Sequence, residues 1–505
     1  MNTSSVRFCS IVALGAALSS CAVGPNYHRP AVPVPAQYKE ALPGWTAAAP
    51  ADAVSKGDWW TDFHDPLIDQ LEPLVAVSNQ TVRQDYANYE QALAEVKVAT
   101  SQLFPTVGLT GSVNESGGPG NGATNVVAAT GGRSSRVIRQ GSLEGTASWT
   151  LDIWGQVRRQ IEENSALAQA DEATLVNATL SEQTLLATTI IELRFADANV
   201  DLAQKTVDAF RDALRVTQAQ GLSGITGAPP SAVITAQVAL ETAQATLIGL
   251  GVARAQFAHA IAVLVGKNPE DLDIPHSPDL PTLPTTLPFS VPSTLLQRRP
   301  DIAAAERTMK AQNAAVGVAV AAYYPAISLS GSAGFLQSPL SGLLHASNHV
   351  WSIGASGTET VFDFGERHAE VQAAKAAYEA AVASYRGTVL SAFQGVENDL
   401  SGLRILGDEA QALDVAVRDA IRGTEIALAE YKAGTVDYTT VALAQEAQLN
   451  DQQTQLTVQQ SRLTDAVSLI GDLGGGWSDS QLHATGHPKT LPPQPAASGP
   501  LPPAP

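Results

Sequence analysis

Cysteine is nearly missing from this sequence: Cys9 and Cys21 are the only two. The rest of the chain therefore has no disulfide and no thiolate metal site. Positive charge is also scarce. With 30 Lys and Arg against 49 Asp and Glu, the net charge is −19, and no basic stripe is available for a nucleic-acid backbone. Aromatics are only 6% of a chain that is 44% hydrophobic, so much of the apolar content is alanine, which favours long helices over thick cores. No nucleophile elbow, Walker loop or His-Glu-x-x-His helix occurs, and the 9 histidines are scattered. This argues against an enzyme and implies no cofactor and no metal. Glycine and proline are absent from Gln156 to Gln220, a stretch that would extend roughly 100 Å as one helix.

The first residues carry an address. Arg7 precedes the apolar run Ile11 to Leu18, too short to span a bilayer, and then Ser19-Ser20-Cys21. Residues 1–20 read as a signal peptide, and the ending resembles a lipobox in which Cys21 is acylated and begins the mature chain. Each buried methylene of such a chain contributes roughly 0.8 kcal/mol. Ala22 follows where aspartate would retain a lipoprotein in the inner membrane, which favours the outer membrane. Residues 21–60 are rich in proline and alanine, as an extended tether would be, and the Pro-rich tail 475–505 is expected to be disordered.

Between these ends the sequence repeats. Leu103-Phe104-Pro105 to Gly111-Ser112 matches Tyr323-Tyr324-Pro325 to Gly331-Ser332, and Leu151-Asp152-Ile153-Trp154-Gly155 answers Phe362-Asp363-Phe364-Gly365. Units this long are a duplicated domain rather than solenoid repeats. The expected copies are 61–266 and 295–474, joined by a Pro-rich connector at 267–294. Each begins with a moderate helix, about 74–104 and 301–324, ending at a proline. A β-hairpin follows, about 105–152 and 326–361, and then a long helical hairpin, about 156–265 and 366–471. The loop 116–132 between the first two alternating segments is rich in glycine and small residues, as a long exposed hairpin loop would be. Asp152 and Asp363 occupy matching places, so a structural role at the strand-to-helix junction is favoured over a catalytic pair.

The alternating segments have the length of tilted transmembrane strands. Four cannot close a barrel, and open edges do not survive in hydrocarbon. Two chains would give eight strands and a filled lumen; three would give twelve and room for solute. A small soluble sandwich is the alternative on pattern alone. Phe104, Trp149, Trp154, Tyr323, Tyr324, Phe362 and Phe364 cluster at the junctions, where an aromatic girdle at the bilayer edge would lie, or where rings could simply pack the helix ends.

The ordered stretches CAVGPNYHRP (21–30), DWWTDFHDPLID (58–69), LLQRRPDIAAAE (295–306), YYPAISLSGSAGF (323–335), AYEAAVASYRGTVLSAFQGVEN (377–398) and GGGW (474–477) resemble the TolC-like outer membrane efflux proteins, in particular their NodT-type lipoprotein members. The resemblance implies a mainly α, mixed α+β membrane protein. Four strands per chain would contribute to a trimeric twelve-stranded barrel continuous with a periplasmic α-helical barrel. It implies the exit duct of a tripartite efflux pump, passing drugs or other small molecules to the exterior. Its implied partners are two further copies, a periplasmic adaptor, an inner-membrane RND-type pump and outer-membrane lipid. The alternative is a surface-anchored coiled-coil tether, which leaves the four alternating segments without a role.

The resemblance also directs attention to the periplasmic tips, where a gate and the adaptor-docking surface are expected. The candidates are Gly221, Pro229 and Pro230 in the first tip, and Gly434, Asp437, Tyr438, Thr440 and Leu443 in the second. Thr440 and Leu443 stand where family members commonly carry acids, so Asp437 is the nearest candidate for a negative ring. The first tip, GLSGITGAPPS, has two prolines and no charge.

Overall fold

The computed structural model describes residues 22–40, 58–118, 136–223, 229–284, 296–338, 341–478 and 482. The expected signal peptide, the anchor Cys21, most of the glycine-rich loop at 116–132 and most of the tail lie outside the described residues. The chain divides into two compact units. One comprises residues 1–29, 91–168 and 307–382; the other comprises 30–90, 169–306 and 383–505.

The helices are α1 (Pro66–Ser78), α2 (Gln80–Ser101), α3 (Gln156–Ser223), α4 (Pro230–Leu264), α5 (Pro300–Ala321), α6 (Glu366–Lys432) and α7 (Tyr438–Asp472). The strands are β1 (Thr106–Gly118), β2 (Arg136–Leu151), β3 (Ala326–Gln337) and β4 (His349–Thr358). One expectation is corrected. The single helix at about 74–104 is instead two, α1 and α2, because Asn79 turns extended between them. Its side-chain oxygen then accepts from Thr81 N–H at 2.8 Å and Val82 N–H at 3.2 Å, capping the second helix.

In the first unit the strands form one antiparallel sheet in the order β1-β2-β3-β4, so the last strand of one copy pairs with the first strand of the other. The register puts like faces together. Leu109, Gly145, Ala333 and Trp351 lie in one row across the sheet, while Ser112, Ser142, Leu336 and Thr110, Glu144, Gly334 lie in rows on the other. The polar face is stitched by hydroxyl pairs: Thr106 with Ser148 and Ser112 with Ser142, both at 2.8 Å, and Ser332 with Ser352 at 2.9 Å. A one-residue slip would mix the two faces, so this pattern fixes the register. β1 and β4 are edges, and every residue of β4 is exposed in the single chain.

The second unit buries aliphatic residues from every one of its long helices: Ile68 of α1, Ile190 of α3, Ile261 of α4, Ile302 of α5, Leu400 of α6 and Leu469 of α7 are inaccessible. Each such side chain contributes about 1.5–3 kcal/mol. Two buried carboxylates in this unit are matched by arginines, while fully buried Glu72 has no hydrogen-bond partner among the described residues. Asp65 caps α1 through Leu67 N–H at 2.7 Å and accepts from Arg194 Nε at 2.9 Å, both ends of the ion pair being buried. Asp197, fully buried, accepts from Arg254 Nε at 2.6 Å, His276 Nδ1 at 2.9 Å and Ser277 N–H at 3.0 Å. That carboxylate clips the connector to α3 and α4.

Candidate functional site

The C-terminal ends of α3 and α6 and the starts of α4 and α7 meet within the second unit. α6 ends because Gly434 adopts φ 75°, a left-handed value that L side chains resist. Its N–H donates to the Tyr431 carbonyl at 3.0 Å, and Thr435 N–H reaches back to Glu430 at 3.0 Å. Asp437 then starts α7: its Oδ1 accepts from Thr440 N–H at 3.2 Å and from the Thr440 hydroxyl at 3.1 Å. The carboxylate expected to line a gate is therefore also a helix cap. On the other side Pro229 occupies the cap position of α4 and Pro230 its first turn, where a missing N–H costs nothing.

A small hydrogen-bonded cluster joins these ends. Tyr431 donates its hydroxyl to Thr217 Oγ1 at 3.0 Å, and the Gln220 amide donates to the Tyr431 carbonyl at 2.9 Å. Tyr438 packs edge-on against Tyr431, with ring centroids 5.8 Å apart, among Ala213, Ala236 and Val441. Tyr438 is 3% exposed, and its hydroxyl has no partner among the described residues. Burial pushes that phenol above its ordinary range. Beside it lies an open cavity of about 290 Å³, lined by Gln220, Pro229 and Thr235 from one side and Gly434, Asp437 and Tyr438 from the other.

Of the tip residues singled out in the sequence, Pro229, Gly434, Asp437 and Tyr438 share this cavity. Pro230, Thr440 and Leu443 do not line it, and Leu443 projects 62% exposed. Gly221 lies in the last turn of α3, just before residues outside the described set. Sequence reasoning missed Thr217, Gln220 and Tyr431. The available signal was a tyrosine three residues before Gly434, near the end of a long helix.

Four of the seven junction aromatics form two ring pairs in the first unit. Trp154 stacks on Tyr324 with centroids 4.8 Å apart and donates Nε1–H to the Pro325 carbonyl at 2.8 Å. Trp149 donates to the Leu103 carbonyl at 3.0 Å. Phe362 and Phe364 have ring centroids 4.4 Å apart, the Arg367 guanidinium lies over Tyr323, and Phe104 is exposed. Next to Cys21, Ala22 packs against Gly155, and Val23 N–H donates to the Trp154 carbonyl at 3.1 Å.

The match to known families decides what these elements belong to. The model of the outer membrane efflux proteins matches residues 73–267 and 291–475. The chain belongs to this family. A toluene efflux pump outer membrane protein of Pseudomonas putida, TtgC, is 28% identical over 91% of this chain and 93% of its own. The cation efflux system protein CusC of Escherichia coli is 28% identical over 91% and 97%. Among solved structures, the outer-membrane channel OprN superposes with TM-score 0.80 and 30% identity, covering 90% of this chain and all of that one. The CmeC channel of Campylobacter jejuni, at 22% identity and TM-score 0.83, supports the fold. The chain has the fold of the trimeric efflux channels and is an outer membrane exit duct for tripartite efflux, working with other pump components. A coiled-coil tether does not account for that membership.

Proposed function

We propose that three copies of this chain close one barrel, with the apolar face of the sheet toward lipid and the Ser/Thr face toward the lumen, and that the duct is passive and non-enzymatic. The two-faced sheet with free edges at β1 and β4 is the observation that carries this reading. Unpaired strand edges cost several kcal/mol per group in hydrocarbon, so a neighbouring copy must cover them. Exposed Ile234, Val238, Ile248 and Val252 on α4 support the same arrangement, since a single chain leaves them to water.

The finer parts of the proposal concern the ends. Residues 1–20 are removed, Cys21 is acylated, and 21–60 tethers the two repeats at 61–266 and 295–474. The tip cavity and exposed Leu443 and Thr440 form the gate and the surface for a periplasmic adaptor, which couples the duct to an inner-membrane RND-type pump. The paired aromatics mark the bilayer edge. Native mass spectrometry of protein extracted from outer membranes tests the assembly and the anchor together. Three chains, each beginning at an acylated Cys21, are expected. A monomeric or water-soluble species would overturn the shared barrel, and an unmodified Cys21 would overturn the anchor.

A further inference from the structure

The polar face of the sheet carries a single charge among its described side chains. β2 places Ser142, Glu144, Thr146 and Ser148 on this face, and the register sets Glu144 between Thr110 of β1 and Gly334 of β3. All its neighbours along and across the strands are therefore neutral. The other charged strand residues with described side chains, Glu115 and Arg139, stand in register on the opposite face and pair with each other at 3.1 Å. No hydrogen bond or ion pair engages the Glu144 carboxylate among the described residues.

The site opposite Glu144 is bare of side chain for a steric reason. A Cβ added at Gly334 would meet the Leu143 carbonyl oxygen at 2.2 Å and Glu144 Cα at 2.6 Å. Glycine is required there, so nothing on β3 shields the carboxylate from the space the sheet faces. Glu144 also lies about 23 Å along the strand from Leu151, well inside β2 rather than at its end.

We propose that Glu144 is a charge filter in the barrel, favouring cationic over anionic solutes. This rests on the reading of a three-copy barrel with its polar face inward, in which symmetry brings three Glu144 carboxylates to one height. Rings of carboxylates confer cation preference on pores. Uncompensated by any arginine or lysine among the described side chains of this face, this ring attracts small organic and metal cations and slows carboxylates and other anions. Its reach is about 8 Å at physiological ionic strength, so its effect is local and fades at high salt.

The scarcity of cysteine makes a direct test practical, because no thiol follows Cys21. A Ser142→Cys reporter in the full chain, assembled in vesicles, is treated with a cationic and an anionic methanethiosulfonate. The ratio of the two rates is compared with and without Glu144→Gln. The ratio should fall about fivefold on neutralising Glu144 at low salt, with a smaller change at 1 M salt, while Leu143→Cys on the opposite face stays unreactive. Thr146→Cys provides a second reporter on the other side of Glu144. If both reporters react but the ratio is unchanged, the filter is overturned and the inward polar face survives. If Leu143→Cys reacts and the reporters do not, the barrel reading and the filter fail together.

Discussion

At the first strand-to-helix junction Asp152 accepts from Val157 N–H at 3.0 Å and Arg158 N–H at 3.1 Å, and Arg158 Nε closes the loop at 3.0 Å. At the second, Asp363 accepts from Gly365 N–H at 3.0 Å and from Arg367, which holds the carboxyl below its ordinary range. The capping chemistry is the same. What covers it differs. The first junction is finished by the N-terminal segment: Arg159 donates to the Val23 carbonyl at 3.1 Å and to Asn26 Oδ1 at 2.9 Å. The second has no such cover among the described residues, and Phe362 and Phe364 stand 72% and 91% exposed. Duplication thus preserves the turn, while the surroundings of each turn are set by what is not duplicated.

Each copy pairs some of its buried acids and leaves another unpaired. In the first, Asp65 and Asp197 each have an arginine of their own, while buried Glu72 has no hydrogen-bond partner among the described residues and burial pushes it up to about 9. In the second, Asp472 and Asp301 both bind Arg299, and Asp399 lies near Asp472 and Asp465 with one oxygen unpartnered. Burial first, then those two carboxylates, push Asp399 up to about 8.

Several substitutions would sharpen or break these contrasts. The largest effect is expected from Asp197→Ala, which leaves Arg254 and His276 without their buried partner and should cost about 3 kcal/mol in chemical denaturation. A loss below 1 kcal/mol would mean the connector clip is dispensable. Asp152→Ala should cost about 2 kcal/mol by losing a cap and an ion pair, and more than Asp363→Ala, whose side chain is 16% exposed against 8% for Asp152. Equal losses would erase the difference between junctions. At the second tip, Asp437→Ala should cost about 1 kcal/mol through the cap, whereas Asp437→Asn retains it. Both should lower cation preference in single-channel recordings, and unchanged selectivity would leave Asp437 with the cap alone.

Asp399→Asn carries the opposite sign. The native state holds this proton up to about pH 8, while the unfolded chain releases it near the ordinary value of 3.8. The contribution of Asp399 is therefore unpenalised below pH 4 and falls as pH rises toward 8, so the variant should decline less steeply over that range than the wild type. Partial exposure keeps the difference under about 1 kcal/mol. Calorimetry at pH 5 and pH 8 reads it, and parallel losses in both proteins would place the slope elsewhere. Phe364→Ser should leave single-chain stability unchanged and act only on membrane insertion or assembly, read as the fraction of trimer after extraction. A drop in single-chain stability would show that the ring packs within its own chain.

Much of this was legible before any coordinates. Alternation at Ile327, Leu329, Gly331 and Ala333 announces a strand because side chains alternate between faces. The run without glycine or proline from Gln156 announces α3 because nothing in it breaks a helix. The matching Asp152 and Asp363 announce a junction rather than a catalytic pair. Other features depend on residues far apart in the chain. Nothing near Glu144 reveals that Gly334 stands opposite it, and nothing near Thr217 reveals that Tyr431 reaches its hydroxyl. Asn79 reads as a mid-helix residue until its extended backbone and cap are seen.

Propensity, breakers and period act over a few residues, so the elements, their duplication and the two faces of each strand are written locally in the chain. Only the tertiary fold sets the register that isolates Glu144, the meeting of the helix ends around Tyr438, and which acids received an arginine. Those depend on long-range pairing, where burial and hydrogen-bond geometry select among many locally equivalent arrangements.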